Sequence, residues 1–195
     1  MLTSDKGEIK VLLVKRLNEP FLNSWALPGG AVYNNETIDE AIIRELKEKT
    51  NISNVSPKMF NVFSDVNRAP NIRMICVAYI AVIDKSAISF IKQTAKTQDA
   101  DWFNIDDVPK QLAYDHNKIL NNAFEFLKTE VWKSGVLKKL FPDGVTMGEL
   151  HQVYCKILGT NLDRRNFRKK LLVGGFVTDS GKIKQEKGKN LLLFI

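Results

Sequence analysis

The sequence predicts an α/β protein in which a larger mixed domain, residues 1–133, precedes a small domain of two helices and a β-hairpin, residues 134–195. Three observations support this organisation. Strand-like and helix-like apolar patterns alternate along the larger domain. A turn signal, Pro142-Asp143-Gly144, follows the last helix of that stretch. The charge also shifts, because residues 141–195 carry 10 basic and 5 acidic residues whereas residues 1–140 carry 19 and 17.

Composition places the chain among ordinary globular proteins. Of 195 residues, 44% are hydrophobic and 26% are charged, and the formal net charge is +7. These values exclude a disordered, collagen-like or coiled-coil chain.

Two cysteines cannot form a disulfide framework, and no Cys/His pattern has the spacing of zinc ligands. The start of the chain lacks the apolar core of a signal peptide, and no apolar run approaches the ~20 residues of a membrane span. We therefore expect a cytoplasmic protein with no membrane partner.

The elements of the first domain follow from apolar periodicity and turn residues. A strand is predicted at residues 8–16, which are rich in Val and Leu and follow the Asp5-Lys6-Gly7 turn. A helix is predicted at residues 37–50, since apolar side chains recur there every three or four positions. The Gly-rich loop Leu27-Pro28-Gly29-Gly30 precedes it. Further elements are strands at 59–63, 73–83 and 100–103, and a helix from its expected N-cap Asp115 to about residue 132.

The second domain is predicted to contain two helices followed by a hairpin. Thr146-Met147-Gly148-Glu149 matches a capping box, and Gly159 is a favourable residue for ending the helix that follows. Asp163 is the expected N-cap of a second helix at residues 164–172. Helix, short turn, helix and hairpin is the order of a winged helix-turn-helix domain. The hairpin strands are predicted at 176–179 and 190–194, with the lysine-rich stretch 182–189 between them.

An acidic pattern follows the Gly-rich loop. Five residues separate Gly30 from Glu36, and seven separate Glu36 from Arg44. Glu45 and Glu48 are three positions apart on the predicted helix, so their carboxylates share one face. Paired carboxylates on a rigid helix suit a hard divalent cation that bridges phosphate oxygens and assists attack by water. A surface helix with Glu–Lys ion pairs explains the same residues without a metal.

The complete spacing resembles the Nudix box. That signature contains Gly, five residues, Glu, seven residues, Arg-Glu-aliphatic, one residue, Glu-Glu, one residue and Gly-aliphatic. Seven of its nine defined positions match, and the preceding Trp25-Ala26-Leu27-Pro28-Gly29-Gly30 segment is also typical of the family. The matching residues are Gly30, Glu36, Arg44, Glu45, Leu46, Glu48 and Ile52. The resemblance implies an α/β/α sandwich with a mixed sheet over about residues 1–130. It makes Arg44, Glu45 and Glu48 the candidate catalytic residues, and Glu45 and Glu48 the candidate metal ligands.

Two positions depart from this signature. Lys49 stands where the family has a second Glu that binds metal, and Asn51 stands where it has Gly. The ammonium of Lys49 would repel a divalent ion, and we expect it to form an i,i+4 ion pair with Glu45. The departures predict a largely inactive site that requires no cofactor, with Mg²⁺ needed only if some hydrolysis remains. Direct contact of Lys49 with a phosphate or sugar is the alternative role.

The start of the chain also differs from the family. Nudix sheets normally have a strand before the one predicted at 8–16, yet only residues 1–6 precede it here. This length predicts that the first strand is missing. Either the chain starts downstream of its natural start, or the sheet edge is rebuilt.

A basic pattern marks the second helix of the C-terminal domain. Its apolar face is narrow and consists of Phe167, Leu171 and Leu172. Arginine can pair with guanine and asparagine with adenine in the major groove, and lysines on a wing can contact phosphates. A solvated basic helix is the alternative interpretation. The predicted DNA-binding residues are Arg164, Arg165, Asn166, Arg168 and Lys169 on the helix and Lys182, Lys184, Lys187 and Lys189 on the wing.

The two patterns together resemble Nudix-related transcriptional regulators. The resemblance covers nearly the whole chain and is most specific in Asp163-Arg164-Arg165-Asn166-Phe167-Arg168. It implies a Nudix domain that senses a small-molecule effector, either an ADP-ribose-like nucleotide or a pentose such as arabinose. It also implies a winged helix that binds double-stranded operator DNA as a homodimer. Many members of that family have a degraded Nudix box without hydrolase activity, which agrees with Lys49 and Asn51.

Candidate effector contacts lie in the loop at residues 65–73 and on aromatic residues of the same domain. Two arginines of the loop could bind a phosphate, or they could be ordinary surface charges. The aromatic residues could stack on a base, or they could belong to the core. His116 follows a helix cap and is expected to be structural. The residues concerned are Arg68, Arg73, Trp25, Phe63 and Tyr79.

These expectations describe a ligand-responsive transcriptional regulator. The alternative is a Mg²⁺-dependent Nudix pyrophosphohydrolase acting on ADP-ribose or a related nucleoside diphosphate derivative, for which Glu45 and Glu48 would be essential. A third, weaker hypothesis is a Nudix-derived RNA-binding protein, which would show no preference for an operator-like duplex.

Overall fold

The structure is a computed structural model that describes residues 1–53, 55–84, 99–133, 135–186 and 189–194. Its first sheet contains four antiparallel strands, and β2 pairs with each of the other three. The strands are β1 (Leu2–Asp5), β2 (Glu8–Lys15), β3 (Trp25–Ala26) and β6 (Asp99–Asn104). The central strand β2 supplies Leu12 and Leu13, which are completely buried. The polar stretch at 85–97 lies outside the described residues.

The expectation that the first strand is missing is wrong. Residues 2–5 form β1, whose Leu2 lies opposite Val11 of β2. The chain reverses at Lys6 and Gly7, which both have positive φ, at 51° and 83°. Such a tight turn uses only two residues, so the seven residues before β2 are enough for a short strand and its turn.

A second antiparallel pair consists of β4 (Lys58–Phe63) and β5 (Cys76–Ile80), with an irregularity between Met59 and Asn61. Beyond β5 the chain runs parallel to β1. Leu2 N donates to Ala81 O at 2.8 Å, and Ile83 N donates to Leu2 O at 3.0 Å. This parallel bridge next to antiparallel strands makes the arrangement mixed, as the α/β assignment predicts.

Two helices accompany these strands. Helix α1 (Ile38–Thr50) begins with a capping box between Thr37 and Glu40 and ends at Asn51, whose φ is 57°. Helix α2 (His116–Glu130) has Asp115 at its N-cap position, as predicted. However, the Asp115 side chain makes no capping hydrogen bond, because its carboxylate pairs with Arg68 instead.

The C-terminal domain has the order of a winged helix. Thr146 and Glu149 form the predicted capping box, Asp163 Oδ1 accepts from Asn166 N at 2.8 Å, and Gly159 ends the first helix with φ 66°. The first hairpin strand starts at Asp179, not at residue 176, so Lys182 and Lys184 lie on a strand and not in a loop. The elements of the C-terminal domain are β7 (Val145–Thr146), α3 (Met147–Leu158), α4 (Arg164–Val173), β8 (Asp179–Glu186) and β9 (Lys189–Phe194). The strand order in its sheet is β7-β9-β8.

One continuous core extends through both domains. It includes Leu127 of α2, Val131 directly after that helix, Val153 of α3 and Leu171 of α4, none more than 1% exposed. Short 3-10 segments at Ile105–Asp107 and Gly135–Leu140 flank this region. None of the helices in the described ranges is long and apolar enough to cross a membrane.

Candidate functional site

Arg44 of α1 lies at the centre of the acidic cluster, which consists of Glu36 in the turn before α1 and of Glu45 and Glu48 on the helix. Its guanidinium forks onto Glu36, with 2.6 Å between Nη2 and Oε1 and 2.8 Å between Nε and Oε2. Arg44 Nη1 also donates to Glu45 Oε1 at 2.6 Å and to Glu48 Oε2 at 3.1 Å. Hydrogen bonding to Arg44 lowers the pKa of Glu36 to about 2. One arginine thus contacts all three carboxylates, and the structure brings these predicted residues together.

Lys49 faces the same cluster from the last turn of α1. Its ammonium lies 3.1 Å from Glu45 Oε2 and donates a hydrogen bond to the carbonyl oxygen of Gly29. The expected i,i+4 ion pair is therefore present. Because Glu45 is only 5% exposed, its two carboxylate oxygens face two cationic side chains and not water.

These contacts make the cluster a poor site for Mg²⁺, which takes several oxygen ligands in octahedral geometry. Arg44 and Lys49 together contact both oxygens of Glu45, and Arg44 also contacts Glu48. In the part of the chain that the structure describes, no group of three His, Cys, Asp or Glu side chains is placed to hold a metal ion. The donor set as arranged does not fit a divalent ion.

The Gly-rich loop packs directly against the acidic cluster. A Cβ at Gly30 would overlap the carboxylate of Glu45, so any other residue at this position would displace that side chain. Arg44 Nη2 donates to Ala31 O at 2.9 Å, and its guanidinium carbon lies 4.0 Å from the centre of the Tyr33 ring. Tyr33 is not among the residues predicted from the sequence. The available signal was an aromatic residue three positions after Gly30, in the loop that leads to the predicted helix.

The two arginines predicted to contact an effector have different surroundings. Arg68 is buried, with Nη2 2.7 Å from Asp115 Oδ1 and Nε 3.2 Å from Asp115 Oδ2. Its Nη1 is buried without a hydrogen-bond partner among the described residues. Arg73 is exposed, and its Nη1 donates to Asp65 O at 3.3 Å. Arg68 therefore contributes a buried ion pair between the 65–73 loop and α2, whereas Arg73 is open to solvent.

Two of the three predicted aromatic contacts, Trp25 and Phe63, pack inside the first domain. Trp25 lies edge-on to Phe103 with ring centres 4.8 Å apart. Phe63 is 6% exposed and clusters with Ala78 and Ile119. Both residues thus contribute to packing, and a role in effector binding remains a prediction for them.

Helix α4 presents its basic residues to solvent. Its apolar side is held by Phe167 and Leu171, which are 3% and 0% exposed, and the Phe167 ring packs 5.0 Å from that of Tyr154. Leu172, assigned to this face from the sequence, is 39% exposed. The predicted DNA-binding residues of the helix are all exposed: Arg164, Arg165, Asn166, Arg168 and Lys169.

The predicted DNA-binding lysines of the wing differ in their exposure and contacts. Lys182 is exposed on β8, whereas Lys184 Nζ donates to Glu149 Oε1 of the α3 capping box at 2.8 Å. The ion pair connects the wing to α3. Lys187 and the side chain of Lys189 lie outside the described part of the chain.

Helix α3 connects the two domains. Lys156 forms an ion pair with Asp106 and lies 3.8 Å from Glu8, and hydrogen bonding to Asp106 raises the pKa of Lys156. Tyr154 Oη donates to Val131 O at 3.2 Å, and its ring centre lies 4.8 Å from that of Trp132. The helix that packs against α4 therefore also contacts the first domain.

Comparisons with known proteins agree with this two-part structure. Residues 1–123 match the NUDIX domain, and residues 138–194 match the NrtR DNA-binding winged helix domain. The chain is 30% identical over 195 residues to the ADPR responsive transcriptional repressor NtrR of Acinetobacter baylyi, covering 97% of this chain and 77% of that protein.

Two solved structures of Shewanella oneidensis NrtR are also similar. The complex with a 27mer DNA matches with a TM-score of 0.83 and 28% identity, covering 99% of this chain and 89% of that one. The NUDIX domain complexed with ADP ribose matches with a TM-score of 0.56 and 29% identity, covering 65% and 82%. The chain therefore belongs to the Nudix family and, within it, to the NrtR-type transcriptional regulators that carry a C-terminal winged helix domain.

Proposed function

We propose that this protein is a transcriptional repressor that binds operator DNA through α4 and the wing and releases it when ADP-ribose occupies the Nudix domain. The observation that carries the proposal is helix α4, whose five predicted contact residues are exposed while Phe167 and Leu171 hold the opposite side in the core. Such a helix can enter the major groove without disturbing the packing beneath it. The ADP-ribose response of the Acinetobacter baylyi repressor supports the choice of effector.

We further propose that the protein acts as a homodimer, with a domain boundary near residue 134. A two-fold dimer of winged helices matches operators with two half-sites about one helical turn apart, and an effector acts by changing the spacing of the two reading helices. A DNA-binding regulator of this kind works in the cytoplasm, beside its operator. The pairing of Glu45 with Arg44 and Lys49 favours a sensing role over hydrolysis for the Nudix domain.

A salt-titrated fluorescence anisotropy assay tests the proposal. The duplex from upstream of the protein's own operon is compared with a scrambled duplex, each alone, with ADP-ribose and with arabinose. We expect selective binding to the first duplex and release by ADP-ribose. Release by arabinose alone would change the effector class to a pentose. Equal binding to both duplexes that disappears at moderate salt would show that the basic domain attracts DNA only non-specifically, and this would contradict the proposal.

A further inference from the structure

The ammonium of Lys49 occupies a defined position between the Gly-rich loop and α1. It donates a hydrogen bond to the carbonyl oxygen of Gly29, which lies 20 positions earlier in the chain, and it is 3.1 Å from Glu45 Oε2. The Lys49 side chain is 20% exposed and the Glu45 side chain 7%. An ammonium that contacts both a backbone carbonyl and a buried carboxylate has the surroundings of a bound cation.

The buried carboxylate of Glu45 needs positive charge nearby. Oε1 accepts a hydrogen bond from Arg44, whereas Oε2 is buried and makes no hydrogen bond with good geometry to any described residue. The ion pair with Lys49 is the contact that compensates the charge at Oε2. A carboxylate removed from water without such compensation would be strongly unfavourable.

The same contact determines where the Gly-rich loop lies. Gly30 approaches the Glu45 carboxylate so closely that a Cβ has no room, and Gly29 accepts the hydrogen bond from Lys49. Glu45 and Lys49 thus hold the Gly29-Gly30 turn against α1 as one unit. Backbone N–H groups of such glycine turns can approach phosphate oxygens closely, so the position of this turn affects how a phosphate-bearing ligand binds.

We propose that Lys49 is a built-in cation that replaces a divalent metal ion in the acidic cluster, so that effector binding does not depend on metal. Lys49 acts here as a positioning residue, because it orders Glu45 and the Gly29-Gly30 turn and is not required to touch the effector. The inference rests on the proposed function for the identity of the effector, ADP-ribose.

A metal-binding experiment tests the first half of the inference without any effector. Mn²⁺ is titrated into the full-length protein and followed by electron paramagnetic resonance. We expect no stoichiometric Mn²⁺ binding by the wild type. Lys49→Glu removes the ammonium and adds a third carboxylate beside Glu45 and Glu48, so this variant should bind about one Mn²⁺. Lys47→Glu makes the same charge change on an exposed position of α1 and serves as the matched control, which should bind no Mn²⁺.

Calorimetric titration with ADP-ribose tests the second half. Wild-type affinity should be the same within about two-fold in EDTA and in Mn²⁺. In EDTA, Lys49→Glu should bind about ten-fold or more weakly than the wild type, since no cation then holds Glu45 and the Gly29-Gly30 turn in place, and it should regain most of the affinity in Mn²⁺. Lys49→Met, which has neither the charge nor a carboxylate, should be weakened in both buffers. Rescue by metal in the Glu variant alone separates a cation-like role from general destabilisation.

The outcomes distinguish this inference from the proposed function. Loss of wild-type ADP-ribose binding in EDTA, or failure of Lys49→Glu to acquire Mn²⁺ binding above the Lys47→Glu control, would overturn the inference. If wild-type protein binds no ADP-ribose in either buffer, the proposed effector is wrong, while the Mn²⁺ titration still decides the role of Lys49.

Discussion

His116 illustrates how one residue can hold two elements together by remaining uncharged. Its Nδ1 accepts a hydrogen bond from the backbone N–H of Leu27 at 2.9 Å, which joins the start of α2 to the Gly-rich loop. A protonated imidazole could not accept this bond. Burial lowers the pKa of His116 to about 4, with the positive charge of Arg68 acting in the same direction and Asp115 opposing it.

The lowered pKa predicts that stability falls with decreasing pH. The ordinary pKa of 6.5 applies to the unfolded chain and about 4 to the folded protein. The unfolded state therefore takes up a proton first, and stability declines from pH 6.5 towards pH 4. Between pH 7.5 and pH 5 we expect His116 to account for a loss of about 2 kcal/mol in the free energy of unfolding.

Urea denaturation at both pH values checks this prediction. In His116→Gln, whose amide oxygen can accept the Leu27 bond but does not titrate, that part of the pH dependence should disappear. An identical pH dependence in wild type and variant would show that His116 is not the responsible group.

Asp115 could cap α2 or pair with Arg68, and it pairs with Arg68. Their bidentate pair is buried, and it takes Asp115 away from capping α2 although the residue stands at the N-cap position. A capping bond is worth about 1 kcal/mol, whereas leaving a buried guanidinium without its partner costs about 3 kcal/mol. Because losing the ion pair would cost more than losing the capping bond, Asp115 pairs with Arg68 and does not cap α2.

At the scale of the element, α4 separates a buried apolar side from an exposed basic side. Phe167 and Leu171 are buried, while Arg164 and Arg165 in the first turn are exposed. Replacing both arginines with Ala should weaken operator binding at least about ten-fold without lowering the melting temperature. The plot of the logarithm of the binding constant against the logarithm of salt concentration should also become less steep, by about one for each phosphate that the variant no longer neutralises.

Lys138 and Lys139 provide the matched control for this prediction. Both are exposed lysines of the Gly135–Leu140 segment, so replacing them with Ala removes the same amount of positive charge from a position outside α4. We expect a smaller effect that is equal on operator and scrambled duplexes. If the two double variants lose selectivity to the same extent, α4 is not the reading helix. Anisotropy titrations on both duplexes give the comparison.

At the scale of the whole molecule, the shared core predicts a single unfolding transition. Buried residues of the Nudix sheet, α2, α3 and α4 belong to one cluster, and Lys156 pairs with Asp106 across the same boundary. Leu171→Ala, at a fully buried position of α4, should destabilise by about 3 kcal/mol. It should lower protection from hydrogen exchange in β2 and α1 as well as in α3.

The neighbouring Leu172 is a suitable control, because it is exposed and the same substitution there should change little. Calorimetry together with hydrogen exchange measured by mass spectrometry would follow both variants. Two separate transitions, with the Nudix peptides unaffected by Leu171→Ala, would contradict a cooperative molecule.

Features that depend on residues close together along the chain could be predicted from the sequence. Caps at Thr146, Asp163 and Gly159 were predictable because each involves neighbours within one helical turn. The Lys49–Glu45 ion pair belongs to the same class, and so do the acidic and basic helix faces. Local spacing specifies which side chains share a face of a helix.

Contacts between residues far apart in the chain could not be predicted in this way and depend on the tertiary structure. Arg68 meets Asp115 across 47 positions, Lys184 meets Glu149 across 35, and Lys49 reaches the Gly29 carbonyl across 20. The short strands β1 and β7 likewise exist because partner strands are brought beside them. A pattern of apolar and charged residues shows which side of an element will be buried, but the partner it meets there depends on how the whole chain packs.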